Sequence, residues 1–335
     1  SPPSATNLSK ALVEVAIRSD IFEITRGENV VVRGITFQHD TTGMSTPGGA
    51  VHFIHSNNIL IEDCQITWNN WFGLRFTQVK NVTTRRNSAN FNGGAGWVGW
   101  KIKNLLSEED ETSYNNWRGV RGDFLGWEIA GLKHLAVHDA IYKKYKGIGN
   151  HTRGFWLDYD NQRIQIEEAC ICKNLMAGIN LEASQGPISI KNSRICKNQD
   201  FGISSDSSRV SLEGNHIYGN SSSQVKHTLG NDRLVNNWET GEKLKIHGDK
   251  TSLRWNVIAT DSNAVLLELS GGGALLADVV LEGNIWHKTN GKDLFRLGRK
   301  SMNAPEWQAV TSQSQKSSYS DPIKLGINLN EKSCR

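Results

Sequence analysis

Gly154, Gly178 and Gly202 lie 24 residues apart, and the residues around them repeat on the same grid. Phe155, Ile179 and Ile203 share the spacing, as do Leu157, Leu181 and Ser205, and then Asp158, Glu182 and Asp206. Ile164, Ile188 and Leu212 follow, with Cys172 and Cys196, and Asn174 and Asn198. A period of about 20–30 residues built from short segments marks a solenoid, in which each repeat forms one turn of a superhelix. Within each repeat, apolar and polar residues alternate, which is the two-residue period of a strand.

Stacking such turns places equivalent residues on adjacent parallel strands about 4.8 Å apart. In Phe155-Trp156-Leu157-Asp158 the first and third side chains should point inward and the second and fourth outward. Ile179-Asn180-Leu181-Glu182 repeats the pattern on the next turn. Asp158, Glu182 and Asp206 should therefore line up on the outer face. Like charges stacked at that spacing destabilise a sheet. A structural face gains nothing from such a ladder, so the three carboxylates are the leading functional candidates.

The chain has 335 residues, 37% hydrophobic and 21% charged, which is ordinary globular composition. A solenoid of this length counts as one domain, because each turn contacts its neighbours. The net charge of +4 is small and dispersed, as on a solvated surface. Eleven tryptophans are many, and flat aromatic faces suit sugar rings. Five cysteines, at 64, 170, 172, 196 and 334, leave at least one thiol free. Their spacing fits no zinc motif, and we expect reduced thiols packed in the solenoid. No stretch reads as a transmembrane helix or a signal peptide. The start, Ser1-Pro2-Pro3-Ser4, reads as the interior of a longer precursor. We therefore expect a secreted, periplasmic or cell-surface protein that acts as a monomer.

In chain order, residues 1–28 form a lead-in, with Val13–Ile17 as a first short strand. Residues 29–300 carry the turns. Outward loops are expected at 41–49, which is rich in turn-forming residues, at 127–151, and at 221–250, where apolar periodicity lapses. Gly73, Gly96 and Gly119 are spaced by 23, and the grid stretches between Gly119 and Gly154. Within that stretch, Leu132–Val137 reads as one more strand. Residues 301–335 lose the repeat and should cap the last turn. Asparagines at 58, 81, 104, 174, 192, 198, 215 and 284 fall at corners, where Asn tolerates left-handed backbone.

Together these features resemble the right-handed parallel β-helix carbohydrate-active enzymes, an all-β fold. A sharper resemblance is local. Gly154-Phe155-Trp156-Leu157-Asp158, followed by Leu181-Glu182-Ala183-Ser184-Gln185-Gly186-Pro187-Ile188, is similar to the paired-carboxylate motifs of the β-helix glycoside hydrolases that include retaining β-xylosidases. That resemblance implies Asp158 as nucleophile and Glu182 as acid/base, with a poly- or oligosaccharide substrate, xylan-type in the family's case, and no cofactor.

The spacing of the turns points to the same pair. Retaining glycosidases hold two carboxyl groups about 5–5.5 Å apart, close to the rung spacing. Mutual repulsion should raise one pKa and leave one group ionised and one protonated. The bland alternative is a polar ladder neutralised by cations such as Arg153 or Lys173. Asp160, two residues after Asp158, should share its face. Asp123, four residues after Gly119 as Asp158 is after Gly154, should lie further along it. Arg121, Trp156 and Asn180 stand in outward columns as candidate sugar contacts, Trp156 by stacking.

A polysaccharide lyase or epimerase acting on a uronate-containing glycan is the rival enzyme class. The ladder Asp158/Glu182/Asp206 could then hold Ca²⁺, although no basic residue is evident in its column. A non-catalytic glycan-binding solenoid would need the aromatics without the close pair. The histidines, including His39, His52, His55, His134, His138 and His151, form no zinc pattern and read as hydrogen-bonded surface or corner residues. No phosphate loop or dinucleotide fingerprint is present, and basic and aromatic residues are too dispersed for nucleic acid.

Overall fold

The structure, a computed structural model, describes residues 6–7, 9–11, 15–44, 48–120, 128–230, 232–271, 273–311, 316–327, 329 and 334. The chain winds into a parallel β-helix in which each full turn, or coil, contributes to three faces. The first face runs from Phe22–Thr25 to Phe295–Leu297. The second runs from Glu28–Arg33 to Val279–Glu282. The third, narrower face includes Lys146–Ile148, Cys170–Cys172, Arg194–Cys196, His216–Tyr218 and Val257–Thr260.

The 24-residue grid is the observed register. Phe155 pairs with Ile179 and Ile179 with Ile203, Trp156 with Asn180, Leu157 with Leu181, and Asp158 with Glu182. Phe155, Leu157, Ile179, Leu181 and Ile203 are buried in the apolar column that runs the length of the helix. The glycines mark the corner where coils pack most tightly. A Cβ on Gly154 would lie 2.8 Å from the carbonyl oxygen of Gly178 and 2.6 Å from Asn174 Nδ2. Gly178 stands in the same relation to Gly202 and Asn198.

The asparagines of this corner form a buried ladder. Asn69, Asn92, Asn115, Asn150, Asn174, Asn198 and Asn220 each donate a side-chain N–H to the side-chain oxygen of the next, ending on Gln224. A second ladder joins Asn215, Asn256 and Asn284. Asn58, Asn81, Asn104 and Asn192 take positive φ as expected of corner residues. Asn174, Asn198, Asn215 and Asn284 instead earn their places by satisfying buried amides on neighbouring coils.

Several sequence expectations are corrected. Residues 128–151 are no outward loop: Ala130–Lys143 is a strand that covers two faces, and Lys146–Ile148 takes up the third; Trp127 lies outside the described residues. The corner glycine of that coil is Gly131, whose Cβ would meet the Gly154 carbonyl at 2.5 Å, and Gly119 lies off the grid in a turn closed by Asn116. The extra residues of the repeat therefore fall before Gly131. The lead-in strand is Phe22–Thr25; Val15–Ile17 are exposed and not in a strand, and Val13 and Glu14 lie outside the described residues. Of 221–250, Ser223–Thr228 stays in the stack, and an antiparallel hairpin, Arg233–Asn236 with Lys243–Ile246, projects from it.

The cysteines are not all reduced. Cys172 and Cys196 form a disulfide, as do Cys170 and Cys334, leaving Cys64 free and buried. Stacking on adjacent rungs brings Cys172 and Cys196 to a Cα separation of 4.5 Å, within bridging range. The other bridge joins residues 164 apart in sequence, a contact that no periodicity reports. At the C-terminal end, the helix Ala304–Thr311 starts on a capping box between Asn303 and Glu306. Its Trp307 stacks on Phe295, centroid to centroid 4.7 Å, and shields the last coil.

Candidate active site

Asp158 and Glu182 end adjacent first-face strands and point outward, because each follows an inward leucine in the two-residue alternation. Their side chains are 14% and 30% exposed. The coil before them supplies a cation. Lys133 pairs in register with Trp156, and its ammonium lies 2.9 Å from Asp158 Oδ2. The Lys133 side chain is fully buried, and burial holds its pKa down, to about 8, against the pull of Asp158. Burial also raises the Asp158 pKa; Lys133 opposes that effect and the neighbouring Glu182 adds to it.

Trp156 links Lys133 to Glu182. Its indole N–H donates to Glu182 Oε2 at 3.2 Å. Its ring carries the Lys133 ammonium 3.1 Å and the Arg153 guanidinium 4.1 Å from the centroid. The ring is 6% exposed, so it is not the sugar-stacking platform expected from the sequence. Its π system is taken up by two cations, and its role is to orient Glu182.

The projecting hairpin closes the other side. Arg233 Nη1 donates to Glu182 Oε1 at 2.8 Å and lies 3.5 Å from Asp206 Oδ2. Asp206 departs from the outward ladder. The strand Ile203–Ser205 ends before it, and its carboxylate folds back to accept the Ala183 N–H at 2.7 Å. Asn180, half-buried, sits between Trp156 and Ser204 in the neighbouring outward column.

Asp160 does not share the face with Asp158. Positive φ at Tyr159 and Asp160 breaks the alternation and turns the Asp160 side chain into a fully buried junction. There it accepts the Trp238 N–H at 2.8 Å and the side-chain amides of Gln162 and Gln185, so it anchors the hairpin rather than a sugar. Arg121 and Asp123 lie outside the described residues. Gly119, from which Asp123 is counted, is not the corner of its coil; Gly131 is, and the position equivalent to Asp158 is Leu135.

Sequence reasoning missed Lys133 and Arg233. Lys133 was legible, because Gly131 precedes Gly154 by 23 residues and so places Lys133 in the column of Trp156. Arg233 had no such signal, since the hairpin follows no repeat. One oxygen of Asp158 and both oxygens of Glu182 and Asp206 face Lys133, Trp156, Arg233 and a backbone amide.

Comparison with known proteins agrees with this architecture. The sequence profile of the family described as right handed beta helix region matches residues 8–122. A search of curated protein sequences gives no match. Among solved structures, the complex of XylC with xylose superposes with a TM-score of 0.58 at 13% identity, covering 84% of this chain. The chain spans 55% of the length of that protein. The A-module of the Azotobacter vinelandii mannuronan C-5 epimerase AlgE4 gives 0.52 at 13% identity, covering 88% of this chain and 79% of that one. A mutant of the periplasmic alginate epimerase AlgG gives 0.54 at 12%, covering 83% and 70%. At such identities the likeness is one of fold. The fold is a right-handed parallel β-helix. Among the described residues no helix is long and apolar enough to cross a membrane.

Proposed function

We propose that this protein is a carbohydrate-active enzyme, a glycoside hydrolase that cleaves a poly- or oligosaccharide by double displacement with retention. The observation that carries the reading is the register of Asp158 against Glu182 on adjacent strands, with Lys133 on one and Trp156 on the other. Neighbouring rungs separate such side chains by about 4.8 Å, near the spacing of a retaining pair. Lys133 keeps Asp158 ionised as nucleophile toward the anomeric carbon, in a partly desolvated setting that strengthens the attack. Glu182 protonates the leaving oxygen and then activates the water that releases the sugar. In the structure both Glu182 oxygens accept hydrogen bonds, one from Trp156 and one from Arg233. The acid step therefore requires the incoming sugar to displace Arg233, which stays within reach of Asp206.

Proton NMR of the first-formed sugar tests the mechanism. Retained anomeric configuration is expected, and inversion would remove Asp158 from the nucleophile role. Asp158→Ala should lower turnover by about 10³-fold or more, and because it takes the carboxylate from the buried Lys133 ammonium a lowered Tm should accompany it; Asp158→Asn should lose turnover with a smaller change in Tm. Glu182→Ala should keep activity on substrates with good leaving groups as far as the glycosyl-enzyme, and azide should restore the second step.

Lyase or epimerase chemistry on a uronate is the second reading, and Lys133 is the observation that favours it. A lysine with a pKa near 8, buried beside Arg153 and a carboxylate, is partly the neutral amine near that pH, and the amine suits proton abstraction at a sugar carbon. An unsaturated product absorbing in the ultraviolet, or solvent deuterium incorporated at the sugar carbon, would establish it in place of hydrolysis. The two disulfides suit an oxidising compartment, and we place the protein outside the cytoplasm.

A further inference from the structure

At the opposite end of the first face, three side chains converge without completing one another. Glu23 and His52 are register partners on the first two coils, and Asp20 precedes the first strand at the corner. One ligand-capable atom from each of the three lies within 4.8 Å of the other two. His52 is 3% exposed, and its Nδ1 has no hydrogen-bond partner. The nearest carboxylate oxygen, Glu23 Oε2, is 3.8 Å away, beyond bonding range.

Both tautomers of His52 leave this buried nitrogen mismatched. Nε2 is satisfied by Thr77 Oγ1 at 2.9 Å. If Nε2 carries the proton and donates it to Thr77, the Nδ1 lone pair faces two carboxylates. If Nδ1 carries the proton, a buried donor has no acceptor. A bound cation resolves the mismatch, because it accepts the lone pair and neutralises the acids in one step.

We propose that Asp20, Glu23 and His52 form a binding site for a divalent transition-metal ion, with Zn²⁺ as the preferred occupant. One imidazole with two carboxylates is the donor set of Zn²⁺ and Mn²⁺; it is too nitrogen-rich for a Ca²⁺ cage and lacks the thiolates of softer ions. The site is partly built in advance. Asp20 is held by its own N–H on Asp40 Oδ1 at 2.9 Å and by the Gly49 N–H on its Oδ1 at 3.2 Å. Thr77 orients the imidazole from behind, as second-shell groups do in metal sites. Glu23 is exposed and free to swing inward, and it opens the site to solvent. Arg75, on the rung after His52, is the neighbouring cation, and its Nη2 is turned toward Glu128 at 3.6 Å. Open coordination positions fall to water. The ion would tie the lead-in to the first two coils, four rungs from Trp156, so it stands apart from Asp158 and Glu182.

Calorimetric titration of ZnCl₂ into the chelator-dialysed protein tests the site, with thermal melting alongside. One ion per chain at micromolar or tighter affinity is expected, with a rise in Tm that grows with zinc concentration. Glu23→Gln, an exposed change that leaves the metal-free Tm unaltered, should weaken binding by about tenfold or more, and His52→Ala should abolish it. His247→Ala, at a half-exposed histidine just past the hairpin strand Lys243–Ile246, should leave stoichiometry and affinity unchanged. Failure of the wild type to bind Zn²⁺ below about 100 μM, or wild-type binding by both site variants, would overturn the proposal.

Discussion

The coils from Arg153 to Tyr218 and the hairpin from Arg233 to Ile246 build one site by opposite means. In the coils, the positions of the strand side chains follow from the rung below. Backbone ladders and the asparagine stack set the register, and alternation sets the direction. The hairpin has no rung beneath it. A lone two-stranded ribbon is marginal in water, so it depends on where it docks. It does so through Val235 and Ile246 against Ala183, the Asn236 N–H to Tyr159 Oη, the Trp238 N–H to Asp160, and Glu239 to His138. The coils thus place the carboxylates and Lys133, and the hairpin brings Arg233 to Glu182. A solenoid can keep its catalytic frame while an insertion changes the chemistry presented to a ligand.

The strongest test breaks the coil half. Leu181→Asp puts an unpaired charge into the apolar column and should cost about 3–5 kcal/mol, seen as a large fall in Tm or loss of folded protein. A wild-type melt would show that the inward column is misassigned.

Next comes the buried cation between the two regions. The Lys133 pKa in the folded chain, about 8, lies below its ordinary 10.5. Between those values the unfolded chain holds a proton that the folded chain has released. Stability should therefore rise with pH from about 8 to 10.5, by an amount on the order of 2–3 kcal/mol. Urea denaturation of wild type and Lys133→Met at both ends of that window should show the increment in the wild type alone.

Arg233→Ala tests the hairpin half. Its guanidinium is partly exposed, so its loss should cost no more than about 1 kcal/mol of stability. Activity should change more than stability, because Glu182 loses the Arg233 N–H that holds its Oε1. An alkaline limb of the pH–rate profile, the limb that reports a general acid, that stays in place would separate Arg233 from the chemistry.

The smallest effect concerns the latch. Burial works against the His138 imidazolium, but hydrogen bonds to Asp160 and Glu239 outweigh it, and the pKa is raised above 6.5. The contribution is complete below the unfolded value and is lost as pH rises through the folded one. Hydrogen exchange, corrected for the intrinsic rate, should show hairpin amides such as those of Asn236 and Trp238 losing protection over that range. The amides of Ile179 and Leu181 should not change. Parallel loss in both would mean that the hairpin and the coils open as one unit.

Much of the frame was legible in the repeat. The 24-residue grid dictates the solenoid, the inward leucines and the adjacency of Asp158 and Glu182, because stacked coils convert sequence spacing directly into spatial register. Lys133 was legible too, once Gly131 rather than Gly119 is taken as the corner. Other features carry no periodic trace. Two successive residues of positive φ send Asp160 inward against a pattern that would have sent it outward. Arg233 reaches Glu182 from 51 residues away on a ribbon outside the grid. Cys334 meets Cys170 across the whole second half of the chain. Periodicity encodes contacts between a residue and its copy on the next coil. Contacts between a coil and a segment that copies nothing arise when the chain has closed on itself, and here those contacts set the charge around the carboxylate pair.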